Sequence, residues 1–173
     1  INFSGNSKNI ILEEVVIHHT GGTGISAPDA ENGKGWENIN ISDSSVTYAG
    51  YFTEGEEKPS EWERPDGIGM EDSEGPLKIF NSRFEHNIGD GIDSKCKNTL
   101  VLNTIIANNK ADSLKFWGDN SRAENVLIYG EGDGEADNGP WASIVIDTSK
   151  PGRFEFFNVT VDDNLIRKKS ILF

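Results

Sequence analysis

The stretch Ile79-Phe80-Asn81-Ser82-Arg83-Phe84 returns as Val101-Leu102-Asn103-Thr104-Ile105-Ile106, and again as Ala123-Glu124-Asn125-Val126-Leu127-Ile128. Each asparagine stands 22 residues from the next, and an apolar residue follows it three positions on. The frame extends both ways: upstream it reads Leu12-Glu13-Glu14-Val15-Val16-Ile17 and Ile41-Ser42-Asp43-Ser44-Ser45-Val46, downstream Phe156-Phe157-Asn158-Val159-Thr160-Val161. The third position is therefore Glu14, Asp43, Asn81, Asn103, Asn125, Asn158, and the sixth is always apolar. Third positions are 29, 38, 22, 22 and 33 residues apart, so the shortest interval sets the repeat and the longer ones carry insertions.

A second frame follows each copy of the first. It reads Ile25, Ile68, Ile92, Leu114, Ile144, Ile171, and two residues later Ala27, Met70, Ser94, Phe116, Ile146, Phe173. The residue before it is always small: Gly24, Gly67, Gly91, Ser113, Ser143, Ser170. Apolar alternation of period two in short runs, with turn residues between, means strands. No segment keeps an i, i+3, i+4, i+7 stripe through three turns, which excludes helix. Short strands returning in the same order are the signature of an all-β solenoid, a parallel β-helix of about six coils, forming one domain over residues 1–173. An asparagine at the same bend of each coil is expected to bond the backbone above and below, satisfying polar groups at a buried turn.

Composition agrees with a narrow core threaded through many turns. Hydrophobic residues make up only 35% of the 173, while glycines number 19. The net charge of −13 excludes nucleic acid as a partner, because phosphate binding needs a basic stripe. The single cysteine, Cys96, excludes an internal disulfide. No apolar run reaches the length of a membrane span. Ile1-Asn2-Phe3 and Ser170-Ile171-Leu172-Phe173 both read as mid-fold strand, so the reading expects further coils or domains of the same parent protein on either side.

The register places candidate chemistry on one face. Two residues before the second apolar column stand Thr23, Asp66, Asp90, Asp112, Ala142 and Lys169. Adjacent coils lie about 4.8 Å apart, so Asp66, Asp90 and Asp112 form a carboxylate ladder with Asp93 and Lys115 beside it. Gly67, Gly69 and Glu71, then Gly91, Asp93 and Lys95, then Ser113, Lys115 and Trp117, are read as the outward residues of successive strands. Stacked carboxylates repel, and a cation relieves that; calcium suits the oxygen-only set Asp66, Asp90, Asp93, Asp112. Asp66 and Asp90 also fit ordinary Asp-Gly turns, and Asp93–Lys115 an ordinary cross-strand ion pair. Insertions at 51–62 and 131–141 flank the short coils, as walls flank a groove. Trp62, Trp117 and Trp141 are candidates to stack on sugar rings, with Glu71 at the edge of the same surface. His18, His19 and His86 give no metal assignment: His19 and His86 share a column but are two coils apart, too far for one zinc.

The stretch Asn87-Ile88-Gly89-Asp90-Gly91-Ile92-Asp93-Ser94-Lys95 through Ala111-Asp112-Ser113-Leu114-Lys115-Phe116-Trp117-Gly118 resembles the β-helix repeat proteins of the pectate-lyase-like superfamily. The resemblance spans the chain as a coil pattern and implies a single-stranded, right-handed helix. The calcium-dependent pectate lyases within it look most similar, with an Asp-Gly coil followed by an Asp-Asp-Gly-Trp-Asp coil. Asp90 matches the first aspartate and Asp112 one of the second coil; Ala111 and Lys115 stand where that branch has its other two. The Gly-Asp-Asp and Gly-His-Gly motifs of the polygalacturonase-type hydrolases are absent.

Two functions follow as expectations. The first is a secreted or cell-surface module that acts on or binds an acidic polysaccharide. In its lyase form, calcium at Asp90, Asp112 and Asp66 or Asp93 neutralises a uronate, and Lys115 or Lys95 takes the proton, with Asp93 in the same catalytic group. The second is a non-catalytic structural or adhesive segment of a larger cell-surface protein.

Overall fold

A computed structural model describes residues 1–3, 6–28, 36–53, 56–57, 64–130, 142–146, 151–163 and 171–172. Among them there is no helix, and so none long and apolar enough to cross a membrane. The described chain is all-β, with parallel strands in two large sheets, as in a parallel β-solenoid.

In the first sheet Lys8–Glu13, Glu37–Ser42, Leu77–Phe80, Thr99–Leu102 and the long strand Ser121–Tyr129 pair in that order. Val16–His18, Ser45–Thr47, Arg83–Glu85 and Ile105–Ala107 form a second ladder onto the same long strand, and Phe154–Asp162 pairs with its whole length. The second sheet stacks Ile25–Ala27, Ile68–Met70, Ile92–Ser94, Leu114–Phe116, Ile144–Ile146 and Ile171–Leu172. A small antiparallel hairpin, Tyr51–Thr53 with Glu56–Glu57, belongs to the first insertion.

The pairing reproduces the repeat residue for residue. Ile17, Val46, Phe84, Ile106, Ile128 and Val161 form one column, and Ile25, Ile68, Ile92, Leu114, Ile144 and Ile171 another. Side chains in a strand alternate faces, so these columns point inward, where Phe84, Ile92, Ile106, Leu114 and Phe116 are wholly buried.

The asparagine column turns the chain by a different means from the one expected. Glu14, Asp43, Asn81, Asn103, Asn125 and Asn158 all hold left-handed backbone, with φ from 47° to 55°. Asparagine and aspartate tolerate that region better than other side chains, because a short polar group can bond locally. The amides link side chain to side chain: Asn103 Nδ2 donates to Asn81 Oδ1 at 3.2 Å, Asn125 to Asn103 at 3.1 Å and Asn158 to Asn125 at 2.7 Å. This ladder is exposed, which corrects the expectation of a buried one bonded to backbone.

A buried asparagine ladder exists elsewhere, at Asn87 and Asn109. Asn87 Nδ2 donates to Asn109 Oδ1 at 2.8 Å, and that oxygen also accepts the Asn87 backbone N–H at 3.1 Å. Asn109 Nδ2 donates to the Phe84 carbonyl at 3.0 Å, and Asn87 Oδ1 accepts the Ala49 N–H at 2.9 Å. These bonds satisfy backbone groups that a sharp inward bend would otherwise strand. The ladder, with the backbone of the next coil and the core side chains, leaves no room for a side chain at Gly67 and Gly91. A Cβ on Gly67 would stand 2.8 Å from Asn87 Nδ2, and one on Gly91 2.7 Å from Asn109 Nδ2. Gly67, Gly91, Ser113 and Ser143 are therefore buried corner residues, a correction to their reading as outward groove floor.

Candidate functional site

Asp66, Asp90 and Asp112 form the expected ladder, and its first role is structural. Asp66 Oδ1 accepts the Asp90 N–H at 2.7 Å, Asp90 Oδ1 the Asp112 N–H at 2.8 Å, and Asp112 Oδ1 the Ala142 N–H at 3.0 Å. Thr23 starts the series, its hydroxyl accepting the Asp66 N–H at 3.2 Å. Each carboxylate thus holds the backbone of the following coil with one oxygen, a bond stronger than one between neutral groups. The second oxygens are left to face the outer surface of the second sheet.

The strand register brings Gly69, Asp93, Lys115 and Val145 into one outward row, and the residues after the strands, Glu71, Lys95 and Trp117, into the next. Lys115 Nζ lies 2.6 Å from Asp90 Oδ2 and 3.4 Å from Asp112 Oδ2, nearly enclosed. Lys95 is ion-paired to Glu71. One carboxylate oxygen each from Asp66, Asp90 and Asp93 falls within 4.8 Å of the others. Within that cluster Asp93 Oδ1 is buried and has no hydrogen-bond partner.

Burial pushes the Asp66 carboxyl well above the usual carboxylate range, and the neighbouring charges of Asp90 and Asp93 add to it. Burial likewise raises Asp93, to about 6, with Lys115 opposing and Asp90 reinforcing. Asp90 is raised by burial against the pull of Lys115. Burial works against the Lys115 ammonium, yet Asp90 and Asp93 outweigh it and hold the pKa above the ordinary lysine value. Lys95 is also held charged: its bond to Glu71 and the charge of Asp93 outweigh desolvation.

Of the four predicted metal ligands, three converge. Asp66, Asp90 and Asp93 offer oxygen donors only, the set that suits a hard cation such as calcium, and the orphaned Asp93 oxygen is the atom such an ion would satisfy. Asp112 is outside this group, and Lys115 lies between it and Asp90, 3.4 Å from the one and 2.6 Å from the other. Trp117 follows its strand directly and is 39% exposed, a flat apolar surface open to solvent. Trp62 and Trp141 lie outside the described residues, as does most of both flanking insertions.

Sequence reasoning missed the buried Asn87–Asn109 pair, although Asn-x-x-Asp at 87–90 and again at 109–112 carries the signal. It also missed an aromatic column in which Tyr48 stacks between His19 and His86. No family model matches the chain, and neither a curated protein nor a solved structure matches it.

Proposed function

We propose that the chain is a right-handed β-helix module of about six coils, pectate-lyase-like, that binds an acidic polysaccharide through a divalent cation held at Asp66, Asp90 and Asp93. The observation that carries the reading is the buried, unpartnered Asp93 oxygen beside two further carboxylates. Calcium fits because it takes several oxygen ligands in loose geometry and leaves positions for a uronate carboxylate. A protein of net charge −13 repels a polyanion, so a bridging cation is what makes such a partner acceptable. Trp117, exposed one row from the cluster, supplies a stacking face for a sugar ring. Such a module works outside the cell or on its surface, where the polymer is.

Binding is favoured over β-elimination by the state of the lysines. A lysine takes a proton only when neutral, and Lys115 and Lys95 are both ion-paired with pKa values raised. The test is a melting curve with calcium and with EDTA, followed by binding of polygalacturonate and alginate oligomers. A cation present at 100 times its Kd should stabilise by about 2.7 kcal/mol, and oligomer binding should require it. No calcium shift sinks the cation site. Release of unsaturated product would overturn the non-catalytic reading and make the module a lyase.

A further inference from the structure

A second site stands outside the aspartate cluster, on the first sheet. His18 ends the strand Val16–His18, and His19 follows with φ of 52°. Consecutive strand residues normally face opposite ways. The left-handed turn at His19 breaks that alternation, and the two imidazoles converge with Nδ1 atoms 3.0 Å apart. The rings cross at 87°, with centroids 5.3 Å apart.

The His19 ring is held from behind. It stacks on Tyr48 at 4.9 Å and 10°, and Tyr48 stacks in turn on His86 at 5.0 Å and 4°. Tyr51 meets the edge of Tyr48 at 5.7 Å. The His19 backbone N–H is bonded to the Thr47 carbonyl at 3.2 Å. One imidazole is thus fixed in position and plane, while His18 is exposed and meets it edge-on through the Nδ1 contact. Neighbours that orient an imidazole favour metal ligation, and here stacking on Tyr48 fixes the ring plane.

We propose that His18 and His19 form a chelating site for a divalent transition metal, copper(II) foremost, through their Nδ1 atoms. Two nitrogens 3.0 Å apart, each about 2.0–2.1 Å from one ion, subtend an angle of about 94°. A tetrahedral ion needs them about 3.3 Å apart, so the bite fits square-planar or tetragonal geometry better than zinc's. Imidazole nitrogens with open positions for water or an external ligand are the donor set that copper(II) and nickel(II) take. In the metal-free pair one Nδ1 carries the proton that bridges them. Binding moves that proton to Nε2 of the same ring, so the exchange balances without net proton release.

The experiment is a titration of the full chain with copper(II) in non-coordinating buffer, followed by electron paramagnetic resonance. One equivalent should bind with coupling to two nitrogens. His18→Ala and His19→Ala should each abolish the two-nitrogen signal, with circular dichroism confirming the fold. His86→Ala should retain it, and Tyr48→Leu should weaken binding by roughly tenfold, the cost of losing an orienting neighbour. A signal from oxygen donors alone would place copper at the aspartates and overturn the proposal. So would absence of binding, or binding indifferent to both histidines.

Discussion

Two neighbouring coils present the same socket with opposite contents. Lys115 sits one coil on from Asp90 and one row across, and its ammonium reaches the second oxygen of Asp90 at 2.6 Å. One coil earlier, Asp93 holds the same position relative to Asp66, since Gly69, Asp93 and Lys115 share a row. The backbone is common to both, and each aspartate spends one oxygen on the next coil's N–H. The Asp90 socket is neutralised from within. The Asp66 socket sets carboxylate against carboxylate, and Asp93 keeps an unpartnered oxygen. Repeating a coil repeats its geometry, and the charge placed in the geometry decides whether the protein completes itself or needs a ligand.

Breaking the completed socket should have the largest effect. Lys115→Ala leaves Asp90 and Asp112 buried without their cation, and removal of one partner of a buried pair costs about 3–5 kcal/mol. Urea denaturation at neutral pH should show that loss. Added calcium should recover part of it, because the variant presents four acidic side chains where two are now paired. A variant as stable as the parent would mean that the Asp90 socket never depended on its lysine.

The uncompleted socket should show itself in pH dependence, with a somewhat smaller effect. At about pH 3 the Asp93 carboxyl is protonated in folded and unfolded chains alike, and it costs nothing. As pH rises the unfolded chain gives up its proton near 4, while the folded chain keeps it until about 6. Stability from this group is therefore present at low pH and lost between those values. The loss is about 3 kcal/mol when complete, by the linkage of proton binding to folding. In EDTA, Asp93→Asn should reduce the loss across that window, the remainder belonging to Asp66 and Asp90, and in the parent, calcium should reduce it at neutral pH. A parent curve flat from pH 4 to 7 in EDTA would remove the contrast between the sockets.

The strand columns were legible because register is imposed by a core that admits apolar residues only at fixed intervals. Ile17 through Val161 and Ile25 through Ile171 pair as their spacing requires. The ladder of Asp66, Asp90 and Asp112 was legible in position and misread in part. Sequence shows an aspartate recurring before a small residue, but not that one oxygen is already bound to backbone. The small column was misread because the chain bends there. Alternation predicts outward Gly67 and Gly91, and the bend turns them onto Asn87 and Asn109. The His19–Tyr48–His86 stack is half legible: the register puts His19 and His86 in one column, but Tyr48 between them is chemically unlike both, and spacing gives no sign that the three rings stack. Spacing places the Lys115 amine near the site without saying which oxygens it holds, and the structure adds the pairing to Asp90 and Asp112.

The row beyond both sockets supplies the smallest and most discriminating change. Lys95 and Glu71 pair across coils as Lys115 and Asp90 do, but their side chains are 30% and 39% exposed. Water screens them, and an exposed pair of this kind is worth about 0–1 kcal/mol. Glu71→Gln should therefore leave the melting temperature nearly unchanged, against the large loss expected for Lys115→Ala. It should still register at the Asp66 socket, because the Glu71 charge is one of those raising Asp93. Removing that charge should lower the pH at which Asp93 titrates, measured by carboxyl carbon shifts in nuclear magnetic resonance. A large loss of stability would show that this row is built into the fold as firmly as the ladder. An unmoved Asp93 titration would show that the socket is insulated from Glu71, its charge being set by burial and by Lys115 and Asp90.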